Sequence, residues 1–167
     1  MRKRWPWIAA AAVLAGSVLA YGIGASRATP APVTPAARTG TMGTPVTQDG
    51  IFEYTVNSLE CGGTGVGGAA PKGQYCRVGL TVRNLGNVAR KPGIAFAKAY
   101  DARGTGHLAD AVAQIRAERI GSSLLDDLAP GARITTGMIY DVPADTTITS
   151  VVLRESPTSA GITIALS

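Results

Sequence analysis

After residue 50, apolar and polar residues alternate with a period of two over much of the chain. Phe52, Tyr54 and Val56 alternate with Glu53, Thr55 and Asn57, and Cys76, Val78, Leu80 and Val82 alternate with Arg77, Gly79, Thr81 and Arg83. Successive side chains of a strand point to opposite faces, so each run predicts a strand with one face in a core. Ile94, Phe96 and Tyr100 predict a third strand, with Lys98 as an exception in the inward register. Ile134, Thr136, Met138, Tyr140 and Val142 share one face of a further strand, which Pro143 ends because it has no N–H for a ladder. Residues 147–153 and 162–166 supply two more candidates. Turn signals fall between the strands at Asn84-Leu85-Gly86-Asn87, Asp101-Ala102-Arg103-Gly104 and Leu128-Ala129-Pro130-Gly131. Residues 107–128 admit two readings: a short helix capped by Asp110 and carrying Val112 and Ile115, or an edge strand followed by a loop. About six or seven short strands with little helix predict an all-β protein, an antiparallel β-sandwich over residues 48–167.

The N-terminal pattern is different. Arg2, Lys3 and Arg4 precede Trp5-Pro6-Trp7 and an uncharged apolar run from Ile8 to Ala25. Basic residues before an apolar run stay on the cytoplasmic side, so everything after Ala25 is expected outside the membrane. The run stands between the roughly 20 residues of a spanning helix and the about 7–15 of a signal-peptide core. Trp5 and Trp7, suited to the headgroup level, favour an uncleaved single-pass anchor through residues 5–25. Gly24-Ala25-Ser26 would instead suit a cleaved signal peptide within residues 1–25, and the domain would then be secreted. Residues 26–47 hold Pro30, Pro32, Pro35 and Pro45 among Ala, Thr and Gly, and read as a disordered linker.

Charge sharpens this division. The chain is formally +5, yet Arg2, Lys3, Arg4, Arg27 and Arg38 account for the whole excess, because residues 45–167 carry 11 basic and 11 acidic residues. A neutral domain with few aromatics lacks the basic face that phosphate neutralisation needs, so nucleic acid is not an expected partner. The two cysteines, Cys61 and Cys76, both lie in the exported part and predict a disulfide. Closing a loop of roughly 15 residues, it would add about 3 kcal/mol in the chain-entropy model.

Candidate chemistry is sparse. The single histidine, His107, reads as a solvated residue at a hairpin tip, and no nucleophile-elbow pattern accompanies it. Asp126-Asp127 has no surrounding oxygen-ligand loop and reads as a solvated pair. Gly62-Gly63-Thr64-Gly65-Val66-Gly67-Gly68 lacks the Gly-Lys-Ser/Thr ending of a phosphate loop and reads as a long mobile loop closed by the disulfide. Recognition often resides on loops carried by a rigid scaffold, which makes Gly62, Gly63, Thr64, Gly65, Val66, Gly67 and Gly68 the first candidates for a partner contact. No metal site and no cofactor are expected.

Five segments occur together in order: Pro71-Lys72-Gly73-Gln74-Tyr75, Val82-Arg83-Asn84-Leu85-Gly86, Tyr100-Asp101-Ala102-Arg103-Gly104, Leu128-Ala129-Pro130-Gly131 and Tyr140-Asp141-Val142-Pro143. In this order the chain resembles a family of exported, actinobacterial-type domains of unknown function, which is itself similar to the immunoprotective secreted antigen of mycobacteria. The resemblance spans roughly residues 48–167 and implies an immunoglobulin-like sandwich outside the membrane, with no activity to carry over. The motif residues are expected to be scaffold positions, with Asn84 and Gly86 in a turn needing special backbone angles. The function expected is a non-enzymatic module at the cell surface that binds an extracytoplasmic protein or envelope ligand. An exported hydrolase with dispersed active-site residues, or a structural or assembly partner of a membrane complex, are the alternatives.

Overall fold

The computed structural model describes residues 38–47, 50–92, 96–118, 126–154 and 156–167. The expected N-terminal anchor or signal, and residues 26–37 of the expected linker, lie outside these. Nine strands and one helix follow in order: β1 (Arg38–Thr41), β2 (Val46–Thr47), β3 (Phe52–Gly63), β4 (Gln74–Asn84), β5 (Lys98–Asp101), β6 (Gly106–Leu108), α1 (Ala111–Glu118), β7 (Arg133–Val142), β8 (Ile148–Leu153) and β9 (Ile162–Ala165). They form a five-stranded sheet in the order β1-β9-β8-β5-β6 and a four-stranded sheet in the order β2-β3-β4-β7.

One core fills the space between the sheets, as the period-two pattern requires. Phe52, Tyr54 and Val56 of β3, Cys76, Val78, Leu80 and Val82 of β4, and Met138, Tyr140 and Val142 of β7 meet Val151, Leu153, Ile162 and Ile164 of β8 and β9. A register shift between Val56 and Ser58 turns the second half of β3, so that Leu59 rather than Ser58 packs toward the core. Burial holds the Tyr140 phenol in its neutral form far above the usual tyrosine range.

Several expectations are corrected. The third strand is Lys98–Asp101, with Ala99 and Asp101 buried and Lys98 exposed, so Lys98 belongs to the outward register. Ala97 is buried beside it, whereas Phe96 is exposed and Ile94 lies outside the described residues. Large apolar side chains misled the reading of the face, because two alanines occupy the inward positions. The linker boundary at residue 47 is also overturned, since β1 and β2 fall within residues 26–47. Arg38–Thr41 joins the five-stranded sheet by parallel pairing with β9, from Arg38↔Ile162 to Thr41↔Ala165. Backbone hydrogen bonds rather than side-chain burial hold this edge strand, so it leaves no hydrophobic pattern. Among the described residues the sandwich is therefore mixed, with one parallel pair and one helix.

The two readings of residues 107–128 are each realised in part. Gly106–Leu108 is an edge strand on β5, and α1 follows with Asp110 as its N-cap. Asp110 Oδ1 accepts from the Val112 and Ala113 N–H groups, both at 2.9 Å. The buried face of α1 carries Ala113 and Gln114, whereas Val112 and Ile115 are exposed.

Segments that switch sheets lace both open sides of the sandwich. On one side Met42 N–H donates to Ala165 of β9 and Gly43 N–H to Val56 of β3. On the other, the chain leaves β6 and pairs with β7: Ala109 bridges Tyr140, and Asp110 N–H donates to the Ile139 carbonyl. Gln114 completes this edge as a backbone would, donating to the Gly137 carbonyl at 2.9 Å and accepting from Ile139 N–H at 3.2 Å. The edge of β7 is thereby covered from residue 137 to 140, which shortens the site open to unwanted strand pairing.

Candidate functional site

The helix and the glycine-rich loop meet on the outer face of the four-stranded sheet. Tyr75 and Ile139 point outward from β4 and β7, where solvent-facing residues are expected, and both are buried. With Ala113 they form a second small core, flanked by Val66, Ala69 and Ala117. Val66 and Ala69 of the loop thus lie against the sheet and against α1.

Cys61 and Cys76 are bonded, 15 residues apart in sequence, at the base of this loop. Cys76 is fully buried on the inward face, as its register predicts. The loop is held at further points instead of being free. Val66 and Ala69 exchange backbone hydrogen bonds at 2.9 and 2.8 Å. Gly67 has a positive φ of 52°, and a Cβ there would stand 2.8 Å from the Arg116 Cβ and 3.1 Å from the Arg116 carbonyl oxygen. The returning end is clamped by Asp141, whose two carboxylate oxygens accept from Lys72 N–H at 2.8 Å and Gly73 N–H at 3.2 Å. Gln74 then donates from Nε2 to the Ala144 and Thr146 carbonyls, both at 3.0 Å.

Between loop and sheet lies a groove of about 320 Å³ lined by Glu60, Cys61, Gly62, Gly63, Val66, Tyr75, Arg77 and Ile139. Four of the seven loop residues nominated from sequence take part directly or through the wall they build: Gly62, Gly63 and Val66 line the groove, and Gly67 seats the loop on α1. Thr64, Gly65 and Gly68 are exposed around its rim. Sequence reasoning missed Tyr75, Arg77 and Ile139. The available signal was two large apolar residues in the outward register, which implies that something covers them.

The charges of the groove are arranged unevenly. Glu60 and Arg77 are register partners on adjacent strands. Among the described residues the ion pairs are those of Arg103 and His107 with Asp101, so neither Glu60 nor Arg77 has a charged partner. The Arg77 guanidinium instead extends over β7: a Cβ on Gly137 would lie 2.5 Å from its Nε and 2.9 Å from Nη2. Burial, reinforced by the Asp110 and Asp141 carboxylates and opposed by Arg116, raises the Tyr75 pKa and keeps its hydroxyl neutral.

The other nominated groups lie away from the groove. His107 is not a solvated tip residue: it lies on β6 with its side chain 13% exposed, and its Nε2 stands 3.4 Å from Asp101 Oδ2. Asp101 Oδ1 accepts from Thr105 N–H at 2.8 Å and Arg103 N–H at 2.9 Å. The Thr105 bond in particular, helped by those from Arg103 and His107, holds the Asp101 carboxyl below its usual range against the opposing effect of burial. Asn84 opens an Asx turn, as expected, and is also a buried hub: it accepts from Gly86 N–H and donates to the Val88 and Leu128 carbonyls, all at 2.8 Å. Gly86 does not take a positive φ. Asp126 and Asp127 are exposed. A wider cleft of about 720 Å³ is lined by Lys72, Leu108, Asp110, Asp141 and Pro143, and its two carboxylates are those already occupied in capping α1 and clamping the loop.

These features define a disulfide-bonded, two-sheet β-sandwich with a groove built on its outer face. The chain belongs to the family described as a domain of unknown function, DUF4352, whose model matches residues 42–163. Among solved structures it is similar to the secreted protein MPT63 of Mycobacterium tuberculosis, with a TM-score of 0.61 and 15% identity over 79% of this chain and 99% of that one. It is also similar to the yjhA protein of Bacillus subtilis, with a TM-score of 0.58 and 15% identity over 77% and 99% of the two chains. An uncharacterised β-sandwich protein from Clostridium difficile gives a TM-score of 0.52 at 12% identity, over 83% and 99%. At these identities the likeness is one of fold. No curated protein matches the sequence.

Proposed function

We propose that this protein is a non-enzymatic binding module displayed on the outer side of the cell membrane, tethered through residues 5–25. It contacts an extracytoplasmic protein or envelope component with the surface formed by residues 62–68. The observation that carries this reading is the division of labour among polar groups. Asp101, Asp110 and Asp141 each hold backbone or cap structure and His107 stands against Asp101, while the glycine-rich loop is fixed beside a groove that the described residues leave open. An outward location is supported by the basic-then-apolar N-terminus, by the disulfide, and by the description of the M. tuberculosis relative as a secreted protein.

Replacing Thr64 by a photoreactive amino acid in intact cells tests the reading. Irradiation is expected to yield a discrete adduct that is absent when the same group replaces Thr158, in the loop before β9. Equal labelling from the two positions, or none from Thr64, would overturn it.

A further inference from the structure

Resting on that reading, we infer that the groove beside the loop is a site for an amphiphilic anion, with an apolar body against Val66, Tyr75 and Ile139 and an anionic head at Arg77. The floor is apolar and pre-formed: Tyr75 and Ile139 are buried in the second core, and the loop wall is fixed by the disulfide, Arg116 and Asp141. A volume of about 320 Å³ stands at the lower end of the usual range for small-molecule sites, roughly 300–1,000 Å³. It suits a short chain or a chain end rather than a large ligand.

The head-group chemistry follows from Arg77. A guanidinium presents a planar fork of donors that matches a carboxylate or phosphate. Arg77 has Glu60 as its register partner, yet makes no ion pair with it and lies over Gly137 instead. Glycine inside a strand weakens the strand and often marks a close approach by another group. Here the missing side chain leaves the space in which the guanidinium rests, at the end of the groove away from Glu60. That offset decides the polarity of the ligand: the anion sits toward β7, and the apolar part faces the loop. The nearby carboxylates do not fill the role, because Asp141 is committed to Lys72 and Gly73 and Asp110 to the first turn of α1.

The test uses the full chain labelled with nitrogen-15 and three probes: hexanoate, hexan-1-ol and inorganic phosphate. Hexanoate should shift the Arg77 Nε–H signal and the Gly63, Val66 and Ile139 amides saturably. Hexan-1-ol should bind the same amides about tenfold more weakly, a difference that corresponds to ~1.4 kcal/mol for the charged head. Phosphate alone should bind more weakly than hexanoate. Arg77→Gln should remove the preference for hexanoate and leave hexan-1-ol binding intact. Gly137→Ala, which keeps the charge but displaces the guanidinium, should also weaken hexanoate. Equal binding of hexanoate and hexan-1-ol, phosphate binding as tightly as hexanoate, or an unchanged hexanoate affinity in Arg77→Gln would each overturn the proposal. A specific Thr64 adduct without any hexanoate preference would remove this inference and leave the proposed function standing.

Discussion

The β3–β4 and β5–β6 connections both join neighbouring antiparallel strands and both carry glycine, and they are held in opposite ways. The turn from β5 to β6 is governed from within. Asp101 accepts from Arg103 and Thr105 a few residues on, Gly104 N–H donates to the Asp101 carbonyl at 3.0 Å, and Gly104 takes the positive φ of 80° that closes the hairpin. The loop from β3 to β4 is governed from outside. Beyond the Val66–Ala69 pair inside it, its clamps come from Asp141, 69 residues away from Lys72, and from the disulfide at its base, and Gly67 lies close against Arg116 of α1. A locally held turn fixes only its own shape. A loop held by distant elements exists in its observed form only when helix and sheet are assembled, and the surface it makes is composite. The groove of about 320 Å³ lies at this β3–β4 connection, whereas the pocket beside the β5–β6 turn is about 170 Å³.

The contrast can be broken most strongly at the disulfide. Replacing both Cys61 and Cys76 by Ala should lower unfolding stability in urea by about 2–4 kcal/mol with the β-sheet circular dichroism retained, since the bond chiefly restrains the unfolded chain. No comparable single restraint exists at the β5–β6 turn. Alanine at one positive-φ glycine of each connection, Gly67 and Gly104, should rank next. Gly104→Ala meets nothing within 4 Å, so only the backbone conformation opposes it, at about 1–2 kcal/mol. Gly67→Ala carries that cost and also a contact with the Arg116 backbone, so its thermal midpoint should fall further than that of Gly104→Ala.

A smaller change sharpens the comparison of the two carboxylates. Asp141→Asn turns one acceptor into a donor facing a backbone N–H and should cost about 1–2 kcal/mol while loosening residues 62–73. In Asp101→Asn the remaining carbonyl oxygen can still accept from Arg103 and Thr105, so the loss at neutral pH should be the smallest of the set. Its signature is instead in pH dependence. Because the folded-state pKa of Asp101 is lowered, its contribution is fully present above the unfolded value, near 4, and is lost as pH falls through the folded value. Thermal midpoints measured across the acid range should therefore fall less steeply for Asp101→Asn than for the parent.

The same division explains what could be read from the amino-acid order. Strands β3, β4 and β7 were legible because a face buried against another sheet leaves an alternating pattern, and the Asp101–Gly104 turn because its network lies within its own segment. Cys61 and Cys76 were legible as the available pair in an exported domain. β1 was not, because a parallel edge strand held by backbone bonds needs no apolar alternation. The register of β5 was lost because its inward residues are the small Ala97 and Ala99 beside the larger, outward Phe96 and Tyr100. The groove was half legible: glycine content marked its loop, but its floor depends on Tyr75 and Ile139 meeting Val66 across three separate stretches of chain. Arg77 read as one more polar residue in a strand, since its position over Gly137 belongs to tertiary structure alone.

Amide hydrogen exchange at single-residue resolution, on the oxidised full chain and on Asp141→Asn, addresses the central claim most directly. The parent should show protection at the Val66, Ala69, Lys72 and Gly73 amides, whose hydrogen bonds build the loop. In Asp141→Asn that protection should fall at all four, because the clamp is shared, while Arg103 and Thr105 keep theirs. Exchange of the four loop amides in the parent at the rate of an unstructured peptide, or their loss of protection only in step with the whole domain, would contradict the account.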